Sequence, residues 1–258
     1  MLRLDGKVAL VTGCGSMEEG WGNGKAIAVL FARQGASMFG VDMSLAAAEA
    51  TRVIIVGEGG IAEVSEANVT VAADIEKMVE SCMARFGRID ILVNNVGRSE
   101  PGGPVEMSEE TWDEQIDVNV KSAFLTCKAV LPIMERQGGG SIVNVSSVAG
   151  LRYVGKPQVA YAAAKAALMQ LTRTTAVLYA ARGIRLNCVT PGLMFTLWFS
   201  VSRTSTRRAI SRALSRRATS RCRWAAWETP GTSRIRRCFW PPTKASTLLR
   251  SRSSSMAD

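Results

Sequence analysis

The feature that most limits what this chain can fold into is a glycine-rich turn set between a short apolar run and an amphipathic one. Lys7–Thr12 (KVALVT) is apolar and rich in β-branched residues, the pattern of a buried strand. It runs directly into Thr12-Gly13-Cys14-Gly15 and then, after a longer loop, into Gly22-Asn23-Gly24. From Ala26 to Arg33 apolar residues recur at helical spacing, and Gly35 stands where a helix C-cap is expected. Glycines let a backbone turn tightly and approach a pyrophosphate, whose charge is favoured at the N-terminus of the following helix. A Walker phosphate loop is excluded, because Gly24-Lys25 is followed by Ala26 and the position five before Gly24 is Glu19.

The pattern then repeats with the same alternation. Ser37–Val41 is a second strand ending at Asp42, and Leu45–Val56 a helix. A weak strand (Ala62–Ala67), a helix (Ala72–Phe86) and a strand (Ile89–Val93) follow. After these come a long helix near Glu109–Met134, a strand at Ser141–Val145, a helix at Tyr161–Ala181 and a strand at Ile184–Val189. Strands alternating with helices predict an α/β fold, a doubly wound Rossmann-type parallel sheet with helices on both faces. A chain of 258 residues is long enough to bury a large core in one such domain.

The chain has no histidine, which rules out Ser-His-Asp hydrolysis, Cys-His proteolysis and any His-ligated metal site. Its six cysteines include no CxxC pair and are expected to be reduced free thiols. The best acid–base candidate is Tyr161-Ala-Ala-Ala-Lys165, where i and i+4 spacing puts a phenol and an ammonium on one helix face. A cation within a few ångströms favours the phenolate, so Tyr161 is expected to exchange a proton near neutral pH. Isolated, the pair would read as an amphipathic helix with one snorkelling lysine. Ser147 ends the strand before it, and Asn94-Asn95 ends another, so both project at the carboxyl edge of the sheet, where such folds bind ligands. Asn119, polar on the inner face of the long helix, is expected to have a hydrogen-bonding duty. Asp42 stands 18 residues after Gly24. There a carboxylate accepts hydrogen bonds from the adenosine ribose hydroxyls and repels a 2′-phosphate, which favours NAD over NADP. Taken alone, Asp42 would read as a cap on the next helix.

These residues together resemble the short-chain dehydrogenase/reductase family over nearly all of 1–196. The resemblance rests on the glycine turn, the NNVG of residues 94–97, and Asn119. It continues through Ser147, Tyr161-x-x-x-Lys165, and Pro191-Gly192 with Thr196. It implies an NAD(H)-dependent enzyme passing hydride between nicotinamide and a secondary alcohol or ketone. Tyr161 would be the general acid/base, and Lys165 would lower its pKa and bind the nicotinamide ribose. Ser147 would hold the substrate oxygen, and Asn119 would support a water-linked proton relay. Cofactor contacts would come from Gly13, Gly15, Gly22, Asn23, Gly24, Asp42, Asn68, Val69, Asn95, Val96, Gly97, Tyr161, Lys165, Pro191, Gly192 and Thr196. It also implies a homodimer or homotetramer through the helices around Asn119 and Tyr161. Three departures stand out. Eight residues separate Gly13 from Gly22, so Met17-Glu18-Glu19 is expected to bulge to the surface. Asn68-Val69 replaces the usual Asp-Val beside the adenine, and the Ser147-to-Tyr161 spacing is one residue longer than usual.

The net charge of +10 is a property of the C-terminal part alone. Residues 197–258 hold 14 of the 32 basic residues and two of the 22 acids, a net +12, which leaves 18 against 20, or −2, in 1–196. This Arg/Ser-rich stretch lacks strand alternation or a sustained apolar face, and holds four of the six tryptophans. We read it as an out-of-frame translation beginning near Thr196, with the last helix and strand of the fold missing. Shifting Trp224–Glu228 by one base allows Met-Gly-Arg-Met-Gly, and shifting Ser253–Asp258 allows Val-Val-Asp-Gly-Gly, elements the family places there in that order. A disordered arm for nucleic acid or anionic membrane, on a catalytically dead nucleotide-binding protein, is the competing reading. No signal-peptide h-region or membrane-length apolar run is present, so a cytoplasmic enzyme that binds neither nucleic acid nor membrane is expected.

Overall fold

In the computed structural model the described residues are 3–16, 20–192 and 194. They form six parallel strands in the order β3-β2-β1-β4-β5-β6, where β1 is Val8–Thr12, β2 Ser37–Asp42, β3 Ala62–Glu66, β4 Ile91–Asn94, β5 Gly140–Val145 and β6 Ile184–Val189. The helices are α1 (Asn23–Arg33), α2 (Leu45–Gly57), α3 (Ala72–Phe86), α4 (Glu109–Ile116), α5 (Ser122–Arg136) and α6 (Val159–Tyr179). The expected doubly wound Rossmann-type sheet is therefore present. Strand order reverses between β1 and β4, and in open α/β sheets that switch point is where ligands bind.

Two apolar layers sandwich the sheet. Leu10, Ile75, Leu92, Val130, Met134 and Ile142 lie at the heart of one, and Ala9, Val11, Ala28, Met38, Ile55 and Val93 at the heart of the other. β1 is buried along its whole length, as expected of a central strand covered on both faces. No helix among the described residues is long and apolar enough to cross a membrane.

Three of the boundaries that differ from the sequence reading have an identifiable hydrogen-bonding cause. β4 begins at Ile91, not Ile89, because the Gln137 side chain occupies both backbone groups of Ile89. It accepts from the N–H at 3.0 Å and donates to the carbonyl at 2.9 Å. The expected long helix over 109–134 is interrupted by a π-helical turn, Asp117–Lys121. There Asn119 Nδ2 donates to the Gln115 carbonyl (2.9 Å) and the Arg98 carbonyl (2.8 Å), so a side chain takes a carbonyl one turn back and the turn widens. α6 starts at Val159, two residues early, because the Val159 N–H donates to the Gly102 carbonyl and anchors the first turn. Met17–Glu19, Thr196 and the readings made for residues 197–258, including the missing last helix and strand, lie outside the described residues.

Candidate active site

The turn leaving β1 has its backbone groups bound by three neighbouring elements. Gly13 adopts φ +66°, the left-handed region open to glycine, and its carbonyl accepts from Asn95 Nδ2 at 3.0 Å. The Cys14 N–H donates to the Val41 carbonyl (3.1 Å), and its own carbonyl accepts from Thr51 Oγ1 (2.8 Å). The Gly15 N–H donates to Asp42 Oδ2 at 2.9 Å. Gly22 N-caps α1 without any side-chain cap, so the first N–H groups of Asn23 and Gly24 face outward from the helix start. Among the described residues, a Cβ on Gly22 would meet only the Gly15 carbonyl oxygen, at 3.6 Å. A helix N-terminus without a side-chain cap and a preordered glycine turn fit a pyrophosphate.

Asp42 ends β2 with both carboxylate oxygens in use: Oδ2 on Gly15, and Oδ1 accepting from the Ser44 N–H at 3.1 Å. The cap of α2 is Ser44, whose hydroxyl accepts from the Ala47 N–H. Asp42 is thus fixed in orientation at the edge of the turn.

Asn68 is committed locally: its side-chain oxygen accepts from the Thr70 N–H and hydroxyl, and its N–H donates to Asp74. Buried Val69 joins Thr12, Asn94, Val96, Asn119 and Ser122 in lining a pocket between the ends of β1 and β4. The Asn95 N–H donates to Thr12 Oγ1 at 3.2 Å. At Gly97 a Cβ would lie 2.9 Å from both Asn119 Oδ1 and Lys165 Nζ, so only a glycine lets the backbone pass between those two groups. Past β6, the Pro191 carbonyl accepts from the Val148 N–H (3.0 Å), and no atom of the described residues lies within 4 Å of where a Cβ on Gly192 would sit.

Ser147, Tyr161 and Lys165 converge at this edge. Ser147 follows β5 and its hydroxyl accepts from the Ala149 N–H at 3.2 Å. Tyr161 and Lys165 lie in the first two turns of α6, with Lys165 Nζ 5.6 Å from the centre of the tyrosine ring. Lys165 is buried to 2% exposure, and its ammonium donates to the Val145 carbonyl at 3.0 Å. Burial pulls its pKa down to about 8, against a smaller opposing effect of Cys188.

The expected acidification of Tyr161 by Lys165 is not found in this structure. Burial raises the phenol above its ordinary value, and only a hydrogen bond with Ser147 opposes the rise. Burial also disfavours the lysine cation, which donates to the Val145 carbonyl.

With this geometry in view, the comparisons are informative. The family model described as short chain dehydrogenase matches residues 7–205. The chain belongs to the short-chain dehydrogenase family. This short-chain dehydrogenase is 42% identical over 195 residues to a 3-oxoacyl-(acyl-carrier-protein) reductase of Thermotoga maritima, covering 76% of this chain and 77% of that one. It is 37% identical over 194 residues to a D-threitol dehydrogenase of Mycolicibacterium smegmatis, covering 75% and 72%. A crystal structure of a short-chain dehydrogenase/reductase from Burkholderia xenovorans superposes with a TM-score of 0.76 at 50% identity, over 80% of this chain and 82% of that one. That of levodione reductase superposes with the same score at 32% identity, over 82% and 83%. The dehydrogenase is therefore an enzyme, an oxidoreductase.

Several residues of the dehydrogenase that support the site were missed by sequence reasoning. Ser146 donates from Oγ to the Lys165 carbonyl (2.8 Å), tying the end of β5 to α6. A buried chain of side chains crosses beneath the site: Thr126 donates to Asn94 (2.7 Å), Asn94 to Asn144 (2.8 Å), and Asn144 to Thr172 (2.8 Å). Gln115 and Gln137 each satisfy backbone far away in sequence. The available signal was the polar residues inside otherwise apolar runs, such as Asn144 in SIVNV.

Proposed function

We propose that residues 1–196 form the catalytic and NAD-binding domain of an oxidoreductase acting on a secondary alcohol or ketone. The observation that carries this reading is the meeting of Ser147, Tyr161 and Lys165 beside Gly97 and Asn119, at the switch point of the sheet. Glycines 13, 15, 22 and 24, with Asn23, cradle the pyrophosphate; Asp42 receives the adenosine ribose and disfavours a 2′-phosphate. Asn68, Val69, Asn95, Val96, Gly97, Pro191 and Gly192 complete the cofactor's surroundings. When bound, the nicotinamide supplies the hydride donor or acceptor.

The chain's own groups handle the proton. Ser147 Oγ orients the substrate oxygen toward Tyr161 Oη, which gives or takes the proton at that oxygen. Lys165 holds the nicotinamide ribose and, once there, stands as the positive charge nearest the phenol. Asn119, anchored to the Arg98 backbone, supports a water-linked path that refills the tyrosine's proton. The enzyme works as a cytoplasmic homodimer or homotetramer, with exposed Trp112 on α4 and Phe124 on α5 as apolar contributions to the contact. It engages neither nucleic acid nor membrane. Residues 197–258 are an out-of-frame segment, which resequencing the gene across the codons for Met194–Arg203 tests directly: an extra base there supports the frameshift, and its absence removes it.

The deciding experiment pairs a titration of NADH emission with an NAD-linked screen of secondary alcohols on the purified protein and on Tyr161→Phe. The expected result is NADH binding in both and turnover in the parent alone, lower by about 10²–10⁴-fold in the variant. Equal turnover in the two proteins would overturn the mechanism.

A further inference from the structure

The segment joining β4 to α4 runs outside any strand, yet it is tied at residues 98, 99, 100 and 102. The Arg98 N–H donates to Asn119 Oδ1 (3.3 Å), and its carbonyl accepts from Asn119 Nδ2 (2.8 Å). Ser99 Oγ donates to Gln158 Oε1 (3.0 Å), and the Glu100 N–H donates to Gln115 Oε1 (3.2 Å). The Gly102 N–H donates to the Pro157 carbonyl (2.9 Å), and its own carbonyl accepts from Val159 N–H (3.1 Å). The segment thus bridges the helix carrying Asn119 and the first turn of the helix carrying Tyr161 and Lys165.

Two amides do the work on the first side, and their spacing explains how. Gln115 and Asn119 are four residues apart, about 6 Å along a helix. Residues 98 and 100 are two apart, about 6.6 Å along an extended chain. The helical and extended repeats nearly match, so successive turns of one element grip alternate backbone groups of the other. Gln115 is fully buried, and its Nε2 is the one buried side-chain atom among the described residues without a hydrogen-bond partner. A buried donor without an acceptor is destabilising, so simple packing favours an apolar side chain at this place. What the amide supplies that an apolar residue lacks is the acceptor for Glu100.

We propose that Gln115 is a positioning residue for the dehydrogenase reaction: with Asn119 it fixes the path of residues 97–102, and through Gly97 it sets where Lys165 and Asn119 stand. The link is steric. The backbone at Gly97 leaves no room for even a methyl group between itself, Asn119 Oδ1 and Lys165 Nζ. Movement of the segment by a few tenths of an ångström therefore displaces the lysine ammonium from the Val145 carbonyl or opens a gap beside it. The catalytic half of this inference rests on the reading of Lys165 and Tyr161 given above.

The test uses the full-length protein with Gln115→Leu, and Gln115→Met as a second variant of similar volume should leucine fail to fold. Gln115→Glu retains an acceptor oxygen and serves as the rescue. Hydrogen–deuterium exchange is followed in the peptide spanning residues 97–102, without cofactor or substrate. The expected result is at least fivefold faster exchange in the leucine or methionine variant, unchanged exchange in α5, and near-parental exchange in Gln115→Glu. With the best alcohol from the screen, kcat falls at least tenfold while NADH affinity stays within twofold. Exchange within twofold of the parent overturns the proposal, and so does faster exchange with unchanged kcat. Turnover that survives Tyr161→Phe sinks the catalytic reading itself, whereas an inactive Tyr161→Phe beside a parent-like Gln115→Leu sinks this inference alone.

Discussion

Gly24 stands so close to Gly13 that a Cβ added to it would fall 1.8 Å from the Gly13 carbonyl oxygen and 2.6 Å from Asn95 Nδ2. The neighbour is backbone, already bound to Asn95, and has nowhere to move. Gly24→Ala is therefore expected to push α1 off the turn. A loss on the order of 3 kcal/mol is expected by analogy with overpacked cores. Thermal unfolding reads the loss as a lower Tm, and NADH titration reads it as weakened binding. A variant with parental Tm and affinity would show that α1 can slide.

Asp42 both orders the turn and sets its charge. On the proposed NAD-binding role, Asp42→Ala is expected to shift the ratio of NADH to NADPH affinity toward NADPH by at least about tenfold, near 1.4 kcal/mol. Because the Gly15 N–H loses its acceptor, NADH affinity falls as well. Paired titrations with the two dinucleotides measure both effects, and an unchanged ratio would remove Asp42 as the selectivity determinant.

Lys165 makes stability depend on pH in a predictable direction. Its pKa drops from the ordinary lysine value to about 8 on folding, so between about pH 8 and 10 the unfolded chain binds more protons than the folded one. Stability attributable to this residue must then rise with pH across that window, by at most about 1.4 kcal/mol per pH unit. Below pH 8 both states are protonated and the contribution is flat. Urea unfolding of the parent and of Lys165→Met at pH 7.5 and 9.5 tests the sign: the parent is expected to gain on the variant at the higher pH.

How far the sequence could be read depended on whether a residue acts within its own element. The glycine turn, Asp42 at a strand end and the Tyr161–Lys165 pair are short-range patterns, and each stands where its spacing put it. The π-helical turn at Asp117–Lys121 depends on Asn119 reaching the Arg98 backbone, a partner 21 residues away that periodicity along one helix does not reveal. β4 lost two residues to Gln137, which is 48 positions distant. The pKa of Tyr161 moved opposite to expectation for a similar reason. Spacing gave the neighbour, but burial of the phenol set the direction of its shift.

The buried chain from Thr126 through Asn94 and Asn144 to Thr172 carries a stability prediction. Asn94→Leu leaves the Asn144 side-chain oxygen without its donor, while Thr126 keeps the Ser122 and Ala123 carbonyls, and is expected to cost about 1–3 kcal/mol. The double variant Asn94→Leu/Asn144→Leu is expected to cost clearly less than the sum of the two single ones, because together they remove both ends of the shared bond. Chemical denaturation of the four proteins closes this cycle, and strict additivity would mean the bond contributes nothing.

That same chain has a consequence for how the sheet is assembled. Every hydrogen of the ladder points one way, from α5 across β4 and β5 to α6, ending with Thr172 on the Leu168 carbonyl. Apolar strands such as ILVN and SIVNV could pair almost equally well one residue out of step, since either alignment buries valine and isoleucine. A slip of one position would turn Asn94 or Asn144 to the opposite face, break the bond between them and leave both amides short of a partner in an apolar interior. The ladder thus works as a keyed joint: it favours a single alignment of the two strands that carry the candidate site, against the near-misses that greasy surfaces would tolerate.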